Sequence, residues 1–157
     1  METSAVPACS VEPTRMAVAR SDAGAGPCTK GRAVVVGFGR VGHVLAEGLK
    51  DRMPLLVVEE GMVGDPDVEH IRGNGARADV LAATNLAAAR LLFVAIPQAF
   101  EAGQIVQQAR RINPNLTIIA RGHFDAEVDH LLTLGASRVV MGEREIALAM
   151  LDFSRSQ

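Results

Sequence analysis

Six residues, Gly37-Phe38-Gly39-Arg40-Val41-Gly42, carry the chemistry most readily read from this chain. They follow the apolar run Ala33–Val36 and precede a segment with helical periodicity. A strand entering and a helix leaving turn a weak G-x-G-x-x-G pattern into a candidate anion site. The first glycine permits a tight turn and the second lets backbone amides come close to a pyrophosphate. The third lets the helix pack on the strand. The helix start adds free N–H donors and partial positive charge. Phe38 and Val41 are the spacers of this turn. Arg40 either reaches a phosphate or is a solvated helix residue. Glu59 ends a second apolar run and follows Gly37 at about the 20-residue interval at which a carboxylate meets ribose hydroxyls. An acid there repels a 2′-phosphate, so NAD or an adenosine nucleotide is expected over NADP.

Other candidates stand just after later strands, the edge where open parallel sheets bind ligands. Asn74 either hydrogen-bonds an adenine edge or stabilises its turn. Ile96 and Pro97 either pack on a nucleotide or merely end a strand. Arg121 either points at phosphates or pairs with Asp125 or Glu143. His123 has the titration range of a general base, yet no Ser, Cys or Lys nucleophile partners it, and a capping or surface role suits it better. His43, His70 and His130 lack metal-ligand spacing. No catalytic set and no metal site is expected.

The elements that must hold these residues alternate. Strands are expected at Ala33–Val36, Leu55–Glu59, Val68–Arg72, Leu91–Ile96, Leu116–Ala120 and Arg138–Met141. Helices are expected at Arg40–Arg52, with Val41, Val44, Leu45 and Leu49 on one face, and at Asp79–Asn85. Further helices are expected at Gln98–Ile112, with Phe100, Ile105, Val106, Ala109 and Ile112 inward, and at Asp125–Leu134, closed by Gly135. The last runs over Glu143–Phe153, with a stripe of Ile146, Met150 and Leu151. Continuous apolar strands separated by helices mean an α/β, Rossmann-like, doubly wound and mostly parallel six-stranded sheet with helices on both faces. Residues 1–31, rich in Pro, Gly, Ser and Thr, read as a flexible leader or linker ahead of a nucleotide-binding domain at 32–157.

Composition narrows the function classes. The 157 residues suit one domain, and the 48% apolar content suits a core of aliphatic residues, since Trp and Tyr are absent. A net charge of −2 without a basic stripe argues against nucleic acid. No run reaches the roughly 18 apolar residues of a membrane span, so no direct membrane insertion is expected, and no secretory leader is legible. Cys9 and Cys28 read as reduced thiols of a cytoplasmic protein; a disulfide between them would staple only the leader.

The text Val34-Val35-Val36-Gly37-Phe38-Gly39-Arg40-Val41-Gly42 resembles the RCK N-terminal domain (regulator of K⁺ conductance, also called TrkA-N). So do Ala95-Ile96-Pro97, Glu101-Ala102-Gly103, Ile118-Ile119-Ala120-Arg121 and Val140-Met141-Gly142-Glu143-Arg144-Glu145-Ile146-Ala147. The branch it is most similar to is attached to Kef-type monovalent cation/proton antiporters, and the likeness covers residues 32–153. The resemblance implies a cytoplasmic regulatory domain, not an enzyme, that binds NAD(H) or an AMP/ADP-type adenine nucleotide and biases a membrane cation transporter. It further implies a homodimer in which the helix Arg144–Phe153 crosses to the partner. Gly37, Gly39, Arg40, Gly42 and Glu59 would then contact pyrophosphate and ribose. Asn74 matches the family's small polar residue after strand three, and Arg121 its arginine after strand five. Two features depart from the pattern. Gly61–Asp67 is about five residues short of the usual helix between strands two and three, and a membrane domain is missing. The rival expectations are an NAD-dependent oxidoreductase, which would need a substrate domain and a proton donor, and a dimerising pseudo-domain that has lost its ligand.

Overall fold

Four consecutive apolar residues cannot be satisfied by one buried face, and β1 and the middle of β2 are buried on both. The computed structural model describes residues 31–156. The expected leader, apart from Gly31, and both cysteines lie outside that range. Six strands, β1 (Arg32–Val36), β2 (Leu55–Glu59), β3 (His70–Arg72), β4 (Ala89–Val94), β5 (Thr117–Gly122) and β6 (Arg138–Met141), form one sheet in the order β3-β2-β1-β4-β5-β6. All five pairings are parallel, so the expected "mostly parallel" sheet is wholly so. The order reverses between β1 and β4, which creates the switch point of a doubly wound fold.

Among the described residues, helices α1 (Arg40–Leu49), α2 (Ala78–Ala83), α3 (Ala99–Ile112), α4 (Asp125–Thr133) and α5 (Gly142–Arg155) accompany the sheet, with a 3₁₀ turn at Leu86–Ala88. Strand residues alternate between two apolar layers. Val34, Val36, Leu92, Val94, Ile118 and Ala120 join Leu81, Ile105, Val106, Ala109 and Leu131 of α2, α3 and α4. Val35 and Val57 face the other way, onto Leu45 and Leu49 of α1 and onto Phe38, Val63 and Val68. Each fully buried Leu, Ile or Val of these layers contributes about 1.5–3 kcal/mol.

Several expected details are corrected. On α3, Phe100 is 77% and Ile112 43% exposed. The inward stripe is Ala102, Ile105, Val106 and Ala109, because the i, i+3, i+4, i+7 row excludes both. On α1, Val44 and Val41 are exposed, and the smaller Gly42 and Ala46 are buried instead. That helix ends at Leu49, and Lys50–Arg52 form a turn, as Pro54 disfavours helix just before it. β3 starts at His70: Val68 turns inward to fill space under the sheet. β4 begins two residues earlier than expected and stops at Val94, leaving Ala95-Ile96-Pro97 as a connecting loop. α2 starts and ends early, with Asn85 in the left-handed region at φ 53°. β5 runs on to Gly122, which places Arg121 within the strand.

The stretch between β2 and β3 contains no helix. It is a loop fixed at three points. Val63 packs beside Phe38 and Leu49. The Asp67 amide donates to Asp65 Oδ1 at 3.0 Å. Lys50 Nζ lies 4.0 Å from Asp65 Oδ2. The α4 end is closed as expected by Gly135, at φ 112°. Its amide donates to the Leu132 carbonyl and that of Ala136 to Leu131, the paired bonds of a Schellman cap.

Candidate binding site at the carboxyl edge of the sheet

β1 ends in a turn that only glycine can make. Gly37 has φ 97°, and a Cβ there would stand 2.8 Å from Ile96 Cγ2 and 3.2 Å from the Ala95 carbonyl carbon. Its amide donates to the Val58 carbonyl at 2.8 Å, and the Ala95 amide to that of Val36 at 2.8 Å. The turn is thus stitched to β2 on one side and to the β4 exit on the other. Gly42 lies directly under it: a Cβ would fall 1.9 Å from the Gly37 oxygen. Gly39 differs. Its φ is an ordinary −74° and a Cβ would meet nothing within 4 Å. No protein group therefore requires a glycine there, and the space in front of it is open. Gly39 is the N-cap of α1, with no side-chain cap and no acid in the first turn, so the first amides of the helix lack internal acceptors.

In front of this turn opens a cleft of about 690 Å³, within the range of small-molecule sites. Gly37, Phe38, Gly39, Arg40, Val41, Glu59, Asn74, Ile96, Pro97 and Arg121 all line it. Gly42 does not, being buried beneath. Glu59 is half-buried and both its oxygens are occupied: Oε2 accepts the Phe38 amide at 2.6 Å and Oε1 the Gly61 amide at 3.0 Å. Asn74 Oδ1 accepts the Ala76 amide at 2.8 Å, which gives this side chain its turn-forming role and leaves Nδ2 without a protein acceptor among the described residues. Arg121 is half-buried, and among the described residues it forms no ion pair with Asp125 or Glu143. Arg40 is exposed and likewise unpaired there. The cleft is lined by two cations, Arg40 and Arg121, and by three carboxylates, Glu59, Glu60 and Glu101.

Sequence reasoning missed Glu60, Met62, Gln98 and Glu101 as lining residues. Gln98 and Glu101 follow β4 closely, and the rule that ligands sit beyond strand ends would have found them. Met62 carries no sequence signal. His123 is outside the cleft: Glu127, three positions inside α4, accepts its amide at 2.8 Å and lies 3.6 Å from Nδ1, a helix-start arrangement. Among the described residues the cleft is lined by no Ser, Thr, Cys, Lys, Tyr or His. It can hold an anion on backbone amides and arginines and a hydroxyl on a carboxylate. It offers no nucleophile–base pair.

Known proteins resemble this chain in sequence and fold. A profile of the TrkA-N domain matches residues 33–142. The putative cation/proton antiporter YbaL of Escherichia coli (strain K12) is 42% identical over 126 residues, which is 76% of this chain and 23% of the antiporter. The crystal structure of the TrkA-N domain of that inner membrane protein from Escherichia coli superposes with a TM-score of 0.75 at 40% identity, covering 80% of this chain and 97% of that one. The AMP-bound Kef CTD of Shewanella denitrificans gives a TM-score of 0.70 at 27% identity, covering 76% and 75%. The chain spans 23%, 38% and 19% of the lengths of three curated relatives it matches. With the profile running from β1 through β6, over more than half of its length, this chain belongs to the TrkA-N domain family.

Proposed function

We propose that this chain is a regulatory, non-catalytic module that senses an adenine nucleotide, NAD(H) or an AMP/ADP-type ligand, and thereby controls a potassium or other monovalent cation transporter or a cation/proton antiporter. The observation that carries the reading is the uncapped glycine turn with open space at Gly39 beside a carboxylate at the ribose position. The backbone of Gly39, Arg40 and Val41 and the guanidiniums of Arg40 and Arg121 would hold the phosphates, with Gly37 and Phe38 shaping the turn around them and Gly42 keeping it in place beneath. Glu59 would take the ribose, and Asn74, Ile96 and Pro97 would meet the rest of the nucleotide. A bound nucleotide supplies no chemistry in this role; it acts by preferring one arrangement of the protein over another. The oxidoreductase alternative is disfavoured because, among the described residues, no His, Cys, Lys or Tyr lines the cleft as a proton donor.

Residues 32–157 would form the sensing domain and 1–31 its leader or linker, on the cytoplasmic side of the membrane beside the transporter. Among the described residues no helix is long and apolar enough to cross a membrane. The partner reading rests on the YbaL and Kef relatives, and pairing with a second copy rests on α5. That helix buries none of its residues, and Ile146, Met150 and Phe153 form an exposed row. On the α1 side of the sheet, Phe93, Ile119 and Val140 remain only half-buried, an apolar surface onto which a second copy's α5 would fit.

Thermal shift and titration calorimetry with AMP, ADP, NAD and NADH test the sensor. A ligand at 100 times its Kd raises stability by about 2.7 kcal/mol. Absence of any shift at millimolar concentration of all four would leave the dimerising pseudo-domain as the better reading.

A further inference from the structure

We infer that Met62, on the loop between β2 and β3, is the residue that covers the adenine base. The inference rests on the nucleotide reading and deepens it. The sheet order is the starting point. A ligand with its phosphates at the β1 turn and its ribose at Glu59, the end of β2, can extend its base only toward the next strand outward, β3. The cleft there is lined by Glu60, Met62, Gly73, Asn74 and Gly75. A purine has two broad apolar faces and a polar edge. Asn74, with Nδ2 free of protein acceptors among the described residues, suits the edge. Of the five, only Met62 presents an apolar side chain of any size.

Met62 is 88% exposed, although it sits between two anchored neighbours. Gly61 donates its amide to Glu59 Oε1, and Val63 packs into the layer with Phe38. The backbone is therefore held at the cleft while the thioether has nothing to pack against. A long, unbranched and polarisable side chain in that position adapts to a flat aromatic face. The same anchoring ties its position to the ribose-binding carboxylate.

The test is NMR of the full chain labelled with [methyl-¹³C]methionine. It gives six methyl signals, and loss of one in Met62→Leu assigns Met62. Saturating AMP should move the Met62 methyl upfield by ring current, whereas ribose 5-phosphate, which lacks the base, should leave it in place. Met62→Ala should weaken AMP about fivefold and ribose 5-phosphate by less than about twofold, while Met62→Leu restores AMP binding. Calorimetric AMP binding with an unmoved Met62 methyl and an unchanged Met62→Ala affinity would overturn the inference and leave the sensor reading standing. An equal methyl shift with ribose 5-phosphate would overturn it as well, since the loop would then follow the sugar. No heat with AMP at all would overturn both.

Discussion

Glu59 Oε2 accepts the Phe38 backbone amide at 2.6 Å, which fastens the end of β2 to the middle of the glycine turn. The carboxylate that would meet a ribose also sets the shape of the phosphate cradle.

Glu59→Gln keeps the size but removes the charge and one acceptor. AMP affinity should fall about tenfold, the value of a lost charge-assisted hydrogen bond. Amide exchange at Phe38 and Gly61 should quicken in the variant without ligand. Hydrogen exchange and calorimetry on the same sample check both halves.

Two glycines separate stability from binding. Gly42→Ala puts a methyl 1.9 Å from the Gly37 oxygen and should destabilise the fold by about 2–3 kcal/mol in urea. Gly39→Ala meets no protein atom. It should change stability by less than about 1 kcal/mol yet lower nucleotide affinity tenfold or more, because the methyl enters the space in front of the amides. Equal affinity in Gly39→Ala would remove the phosphate from this turn.

Arg121→Ala should leave urea stability within about 0.5 kcal/mol of the parent, since the guanidinium has no ion pair among the described residues. AMP affinity should fall about tenfold or more. The slope of affinity against salt concentration should become shallower as well. Adenosine, which has no phosphate, should bind parent and variant alike.

Exposed apolar residues on α5 predict self-association. Ile146→Asp together with Phe153→Asp should convert a dimer to a monomer in sedimentation while the far-ultraviolet circular dichroism stays the same. A parent chain that sediments as a monomer at 100 µM, on the order of the weakest useful self-association, would refute the pairing.

In the main core, Ile105→Ala removes a fully buried side chain from α3 and should cost about 2–5 kcal/mol. Phe100→Ala, on the same helix but exposed, should cost less than about 1 kcal/mol. The pair checks the corrected orientation of α3.

Much of this fold was legible because its signals are local. The Val34–Val36 run, the Gly37–Gly42 turn and the distance to Glu59 are read within one strand–helix–strand unit. The face of α3 was less legible: Phe100 and Ile112 are apolar, and only the packed structure shows which of two overlapping apolar rows meets the sheet. Nothing in the sequence shows that Glu59 grips both Phe38 and Gly61, since those bonds depend on how β1 and β2 register. Met62 at the rim was equally illegible. Its position follows from how the loop between β2 and β3 is fixed by Val63 and Asp65, which no short-range pattern encodes.

A newly made copy with its last helix wholly unburied carries a greasy handle that quality control can grasp. Chaperones and proteases favour such surfaces, so whatever comes to cover this helix would also set how long each copy of the chain survives.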